Sequence, residues 1–256
     1  MTVSSPPASP RSGRFPRVAT VGLSGLLVQF SDRLDEAANR AALAFRAAID
    51  VEAWEGVAET ATSLTSTFLR FDPLQLAPDD LSARVTTLLA SRDWSAADLP
   101  QRRRRWRVPV AFGGEAGPQL DEVAGLVGLS PEDAAAQITA QPVRVQTIGF
   151  APGQPYLGTL PEAWDIPRQT DLTPMVPQGA LVVAIRQLIV FSNATQTGWR
   201  QIGLTGFRCF RPDAAAPFAL NAGDDIQFTP VSADVLHRMI EDDPEGMGGA
   251  TVEALS

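Results

Sequence analysis

The chain has 256 residues, 21 basic side chains that are all arginine, 29 acidic ones and a formal net charge of -8. Without lysine, a PLP Schiff base, a phosphate-loop lysine and a biotinyl lysine on this chain are excluded; a lone histidine (His237) and a lone cysteine (Cys209) likewise exclude an internal disulfide and a four-ligand His/Cys zinc site. The acidic balance argues against non-specific nucleic-acid binding, which needs clustered positive charge, while 45% hydrophobic content with 21 prolines and 20 glycines points to a globular, turn-rich, strand-rich chain of one large or two small domains.

Residues 1–13, rich in Ser and Pro, are expected to be disordered. Arg11, Arg14 and Arg17 precede an apolar run that superficially resembles a secretory signal. Gly22 and Ser24 interrupt the run, however, and no small-residue cleavage site follows. The run is also too short to cross a bilayer. It is read as a first strand over residues 19–30 of a cytoplasmic protein with no membrane association. Asp35-Glu36 then opens a helix carrying Ala38, Ala41, Leu43, Ala44 and Ala47, with acids in the first turn where the helix dipole favours them. Strands follow over 57–62 and 66–71, and Asp79 or Asp80 is expected to cap a helix with Leu81, Val85, Leu88 and Leu89 on one face. This order predicts a small open sheet with helices on one side, over residues 14–100.

The stretch 98–107 holds four consecutive arginines and marks the interdomain linker. A phosphate-binding role and contact with an acidic partner subunit both remain open. In so acidic a chain, a solvated linker entering a strand at 107–112 is the preferred reading. Beyond it, short helices over 120–127 and from Ser130 to Ile138, the second capped by Ser130 with Pro131 in its first turn, lead into strands over 143–150, 180–191, 201–204 and 226–229. Their spacing suggests a closed antiparallel barrel over 106–232, followed by a C-terminal tail over 233–256. His237, beside Leu236 and Met239 in a short helical stretch of that tail, reads as a surface or packing residue, and Cys209 as a core residue.

No catalytic triad or dyad is visible. Two glycine-rich segments stand out: Gly113-Gly114-Glu115-Ala-Gly117-Pro118 and Gly149-Phe150-Ala-Pro152-Gly153-Gln-Pro155-Tyr156-Leu-Gly158. Loops of this kind either converge backbone N–H groups on an anion or carbonyl, with Phe150 and Tyr156 as walls, or are rigid turns at a barrel rim. Spacing alone leaves both readings open.

Residues 149–160, the Val176-Pro177-Gln-Gly179 turn, Gly198-Trp199-Arg-Gln-Ile-Gly203 and the stretch 223–230 occur in one order. That order resembles the family of the 5-oxoprolinase B-type subunit, also known as allophanate hydrolase subunit 1 or kinase A inhibitor-like protein, over residues 17–231. The resemblance implies an α+β fold: a small open-sheet N-terminal domain followed by a cyclophilin-like antiparallel β-barrel. It further implies an ATP-dependent opening of 5-oxoproline to glutamate, a C-type partner subunit with a related barrel, and an A-like third subunit. Where family members carry His-Thr, this chain has Ile138-Thr139; an aromatic is replaced by Gln154, and a Pro-Arg pair by Leu172-Thr173. A Gln-Thr-Gly motif retains only Gln187, and the loop before Trp199 is reduced to Thr195-Gln-Thr-Gly198.

On this reading Glu115 is the candidate catalytic carboxylate, in a loop with Gly113 and Gly114, orienting a substrate amide or metal-bound nucleotide. Gly153 with Pro152 offers backbone donors to an oxyanion. Gln187 hydrogen-bonds the small amide substrate, and Phe150, Tyr156 and Trp199 wall its pocket. ATP is bound with the partner's help, and no metal is placed on this chain. The alternative is a non-catalytic scaffold or kinase-inhibitor-like regulator, favoured by the missing histidine and arginine.

Overall fold

The computed structural model describes residues 15–101 and 103–255. The expected disorder of residues 1–13, and Arg102 of the arginine run, lie outside the described residues. Packing divides the chain into two compact units, one ending at Ala97 and one holding Thr62–Leu64 with the chain from Asp98 onward.

In the first unit, β1 (Arg17–Val21) and β2 (Gly25–Gln29) pair antiparallel, with Val21 opposite Gly25. The single strand expected over 19–30 is therefore a hairpin. Its turn is made possible by Gly22 at φ +62° and by Gly25, where a Cβ would lie 2.6 Å from the Val21 carbonyl oxygen. α1 (Glu36–Glu52) starts as expected, its N-cap Asp35 accepting from the Ala38 amide at 2.8 Å. β3 (Val57–Ser63) and β4 (Ser66–Phe71) complete a sheet of order β1-β2-β4-β3. α2 (Pro78–Ala90) differs from expectation: Ala77 holds the cap position, Pro78 opens the helix, and Asp79 and Asp80 lie in its first turn. Proline's fixed φ and missing N–H suit that first helical position, which displaces the acids from the cap. Leu26, Val28, Phe45, Ile49, Leu69, Leu81, Val85 and Trp94 form the core, with Phe45 and Trp94 edge-to-face at 4.9 Å.

The second unit opens with β5 (Arg104–Phe112), followed by α3 (Leu120–Val127), α4 (Pro131–Ala140), β6 (Val143–Ile148) and β7 (Pro155–Gly158). Ser130 caps α4 as expected, accepting from the Asp133 amide. Next come β8 (Thr173–Val176), β9 (Ala180–Ala184), β10 (Gln187–Val190), β11 (Thr195–Thr197), β12 (Arg200–Leu204), β13 (Asp225–Pro230), α5 (Ala233–Glu241) and β14 (Thr251–Ala254). The main sheet runs β12-β9-β10-β7-β6-β13-β5, and a β12–β5 pairing closes it into a barrel. β5 and β13 run parallel while the other pairs are antiparallel, so the closed barrel is mixed rather than wholly antiparallel. The tail forms the expected short helix, α5, and also a strand that was not expected: β14 pairs with β5 at Arg104 to Arg107, the end that β12 leaves free.

The expected strand over 180–191 is likewise a hairpin. Ile185 and Arg186 both have positive φ, at 45° and 62°, the geometry of a two-residue turn. Neither residue favours it. Neighbouring carbonyls hold it instead, since Ile185 N donates to Ile166 O at 2.8 Å and Arg186 N to Trp164 O at 3.0 Å.

Strand alternation sorts the side chains. Val108, Val110, Val145, Leu157, Leu181, Val183, Leu188, Val190, Ile202, Ile226 and Phe228 fill the barrel, and α3 and α4 add Val123 and Ile138. Arg104 and Arg105 do not form a solvated linker. They begin β5, where Arg104 Nη2 meets Asp224 Oδ2 at 2.5 Å and Arg103 and Arg105 flank Asp225 at 3.4 and 3.6 Å.

Candidate functional site

On its outer face the barrel carries a second apolar cluster, formed by Val176, Ala180, Val182, Ala184, Ile189, Phe191 and Trp199 with Tyr156 against it. Strand register explains its assembly: Ile189 lies opposite both Tyr156 of β7 and Val182 of β9, and such cross-strand partners share one face. The two-stranded ribbon of β8 and β11 borders the cluster and leaves a cleft of about 360 Å³. Phe150, Gln154, Tyr156, Arg168, Gln169 and Trp199 are among its lining residues.

Aromatic geometry fixes the walls. Tyr156 and Trp199 meet edge-to-face at 6.2 Å, and the Arg168 guanidinium lies 5.2 Å from the centre of the Trp199 ring. Phe150, in the β6–β7 turn, is 79% exposed and adopts φ +71°. A bulky side chain held in the left-handed region and turned to solvent is doubly unfavourable, a pattern concentrated at ligand sites. In the same turn Gly153 has φ +70°, and a Cβ there would lie 2.8 Å from the Cys209 carbonyl oxygen, so only glycine allows this close approach.

Polar groups complete the cleft. Gln169 is locked: its Nε2 donates to Thr173 Oγ1 (3.3 Å) and Trp199 O (3.2 Å), and its Oε1 accepts from Gln119 Nε2 at 2.7 Å. Gln154 is the opposite case. Its side chain is 1% exposed, yet its Oε1 has no hydrogen-bond partner. Arg168 makes no ion pair among the described residues, and no carboxylate lines the cleft. The cleft is thus a cationic spot in an acidic protein, walled by aromatic rings, with the unpartnered Gln154 Oε1 buried in its lining.

The structure brings Phe150, Tyr156 and Trp199 together here. Pro152 and Gly153 belong to the adjoining turn but do not line the cleft. Gln187 is buried beside it, donating from Nε2 to Gln146 Oε1 at 2.8 Å, while Gln146 Nε2 donates to Thr159 Oγ1 at 2.9 Å. Gly113, Gly114 and Glu115 are also outside the cleft. Their turn is pinned to β12, since Gly113 N donates to Ile202 O and Gln201 Nε2 to Ala116 O. Glu115 is exposed at its tip. Gln119 connects the two regions, accepting from Gln201 N at 2.9 Å while donating to Gln169.

Arg168 and Gln169 are functional candidates that the sequence reading passed over. Their signal was weak: a single Pro-Arg-Gln stretch in a polar loop, remote in sequence from Trp199. Among the described residues, no histidine, cysteine or carboxylate joins them in the lining. Cys209 is wholly buried, which pushes its thiol up to about 12 and keeps it protonated. His237 is exposed on α5, 3.1 Å from Glu241. No group of three His, Cys, Asp or Glu side chains that could hold a metal occurs among the described residues. Nor, among them, is any helix long and apolar enough to cross a membrane.

Residues 16–220 match the carboxyltransferase domain, subdomains C and D. The chain belongs to this family. It is 30% identical over 233 residues to the 5-oxoprolinase B-type subunit of Bacillus subtilis (strain 168), covering 88% of this chain and 97% of the relative. It is 33% identical over 160 residues to the subunit of the same name from Escherichia coli O157:H7, covering 57% and 73%. Among solved structures, TTHA0988 superposes with a TM-score of 0.68 at 29% identity over 82% of this chain, which spans only 40% of that protein. The urea amidolyase of Kluyveromyces lactis shares the fold, with a TM-score of 0.69 at 16% identity over 93% of this chain and 16% of that one.

Proposed function

We propose that this chain is the B-type subunit of an ATP-dependent, 5-oxoprolinase-like amide hydrolase that opens 5-oxoproline to glutamate together with a C-type subunit and an A-like protein. The observation that carries this reading is the uncompensated Arg168 over the Trp199 ring, in a cleft with no carboxylate. A small cyclic amide acid complements it. The carboxylate pairs with the Arg168 guanidinium, and the flat ring packs against Tyr156 and Trp199. Kinship with the B-type subunits of 5-oxoprolinases supports the same ligand.

The cleft can bind and orient, but it lacks a group to move a proton. Among the described residues, its lining carries no histidine, carboxylate or thiol. Chemistry therefore needs the partner subunits, and Glu115, exposed on the Gly113–Gly117 turn, is the carboxylate we assign to a surface completed by them. The expected result is no 5-oxoproline turnover by the isolated chain and ATP-dependent turnover on adding the C-type and A-like proteins. Turnover by the chain alone would sink the shared-site reading. The same lack of a proton-transfer group favours a second reading, a non-catalytic scaffold or regulator. It predicts that Arg168→Gln leaves turnover by the complex unchanged.

A further inference from the structure

A second and larger concavity of the barrel unit, about 600 Å³, is lined by Arg208, Phe210, Arg211, Asp213 and Glu245 among others. Neither arginine makes an ion pair among the described residues, although this acidic chain offers many carboxylates. Arg211 directs Nη1 only at the weak acceptor Met247 Sδ (2.9 Å), and its Nε is buried without a partner. Both residues are positioned by the backbone: Arg208 N donates to Gly246 O at 2.9 Å and Arg211 N to Pro217 O at 2.8 Å. Gly246 makes room for the Arg208 stem, since a Cβ there would lie 2.6 Å from Arg208 Cδ. Two placed guanidiniums with unused donors in one concavity are an oxyanion site in want of an oxyanion.

We propose that this concavity binds a magnesium–nucleoside triphosphate, with Arg208 and Arg211 on phosphoryl oxygens. The acids decide between ligands. Asp213 and Glu245 on the same lining repel a bare anion, whereas magnesium is commonly held by one or two carboxylates together with phosphate oxygens. Two cations and two carboxylates therefore complement a metal-bound polyphosphate better than free phosphate. The volume falls within the range of small-molecule sites, and Phe210, paired with Phe218 at 5.1 Å, offers an aromatic surface to a base. In a chain without lysine, arginine is the only side chain that could meet phosphate with a full charge at neutral pH. The aromatic cleft, with no carboxylate, has nothing to hold the metal. The choice of ATP as probe rests on the reading above; the geometry of the site does not.

The test is calorimetric titration of the full chain with Mg-ATP, ATP with EDTA, magnesium pyrophosphate and inorganic phosphate, repeated on Arg208→Gln and Arg211→Gln. Mg-ATP should bind one to one, EDTA should weaken it at least about tenfold, and each substitution should weaken it about tenfold or more. Arg208 is exposed, so Arg208→Gln carries the test even if Arg211→Gln misfolds. No saturable Mg-ATP binding, equal affinity in wild type and Arg208→Gln, or no effect of EDTA would each overturn the proposal. Phosphate binding as tightly as Mg-ATP would overturn the nucleotide assignment. Titration with 5-oxoproline alone reads the aromatic cleft separately, so failure of one site is distinguishable from failure of the other.

Discussion

Replacing Arg104 with methionine isolates one interaction that joins two distant segments of the barrel. Asp224 is 3% exposed and receives Arg104 Nη2 at 2.5 Å, while the same Nη2 also donates to Ala219 O at 2.9 Å. Methionine keeps much of the stem volume but leaves a buried carboxylate without its cation. Breaking a buried pair from one side typically costs about 3–5 kcal/mol. Asp224 keeps two backbone donors, Arg104 N at 3.1 Å and Asn221 N at 2.9 Å, so the lower end of that range, about 3 kcal/mol, is expected. For a domain of this size that corresponds to a fall in Tm of about 6–12 °C. Thermal and urea denaturation should show it, and adding Asp224→Asn should recover part of the loss by removing the stranded charge. A change within about 0.5 kcal/mol, the range of ordinary surface substitutions, would refute the inference that this pair is a buried structural one.

Two further outcomes are expected. Cys209 should resist thiol reagents in the native state at neutral pH. Because its pKa is raised from 9.0 to about 12, the unfolded chain loses the thiol proton first, so the Cys209 contribution to stability falls as pH rises above 9; Cys209→Ala should flatten that alkaline limb, and an unchanged limb would contradict the assignment. In the assembled complex, Glu115→Gln should lower kcat more than it raises KM, because the assigned role is to orient a reacting group; unchanged kinetics would make Glu115 a turn residue only.

Much of the fold was legible because it rests on local chemistry. Asp35-Glu36 marked the start of α1 and Ser130 was legible as the cap of α4; in the structure both Asp35 and Ser130 accept from the amide three residues on. The hairpins were not legible, because their turns depend on tertiary support: Ile185-Arg186 lacks the Gly or Asn of a two-residue turn and is held by the carbonyls of Trp164 and Ile166. The arginine run was misread for a related reason. Its partners Asp224 and Asp225 lie about 120 residues away, and only the parallel pairing of β5 with β13 brings them alongside. At the cleft, Tyr156, Phe150 and Trp199 could be chosen as aromatic residues next to glycine turns. Arg168 could not, since its significance comes from making no ion pair among the described residues and from a cleft lining without a carboxylate, which are facts of three-dimensional placement.

The most direct test of the functional account is the affinity of the isolated chain for 5-oxoproline, measured by calorimetry for wild type and Arg168→Gln. A charge-assisted contact contributes about 1.5–3 kcal/mol, so the substitution should weaken saturable binding by about 10- to 100-fold while leaving the thermal transition in place, because Arg168 is exposed. No saturable binding by the wild type, or equal affinity in the variant, would contradict the claim that this cleft holds the substrate.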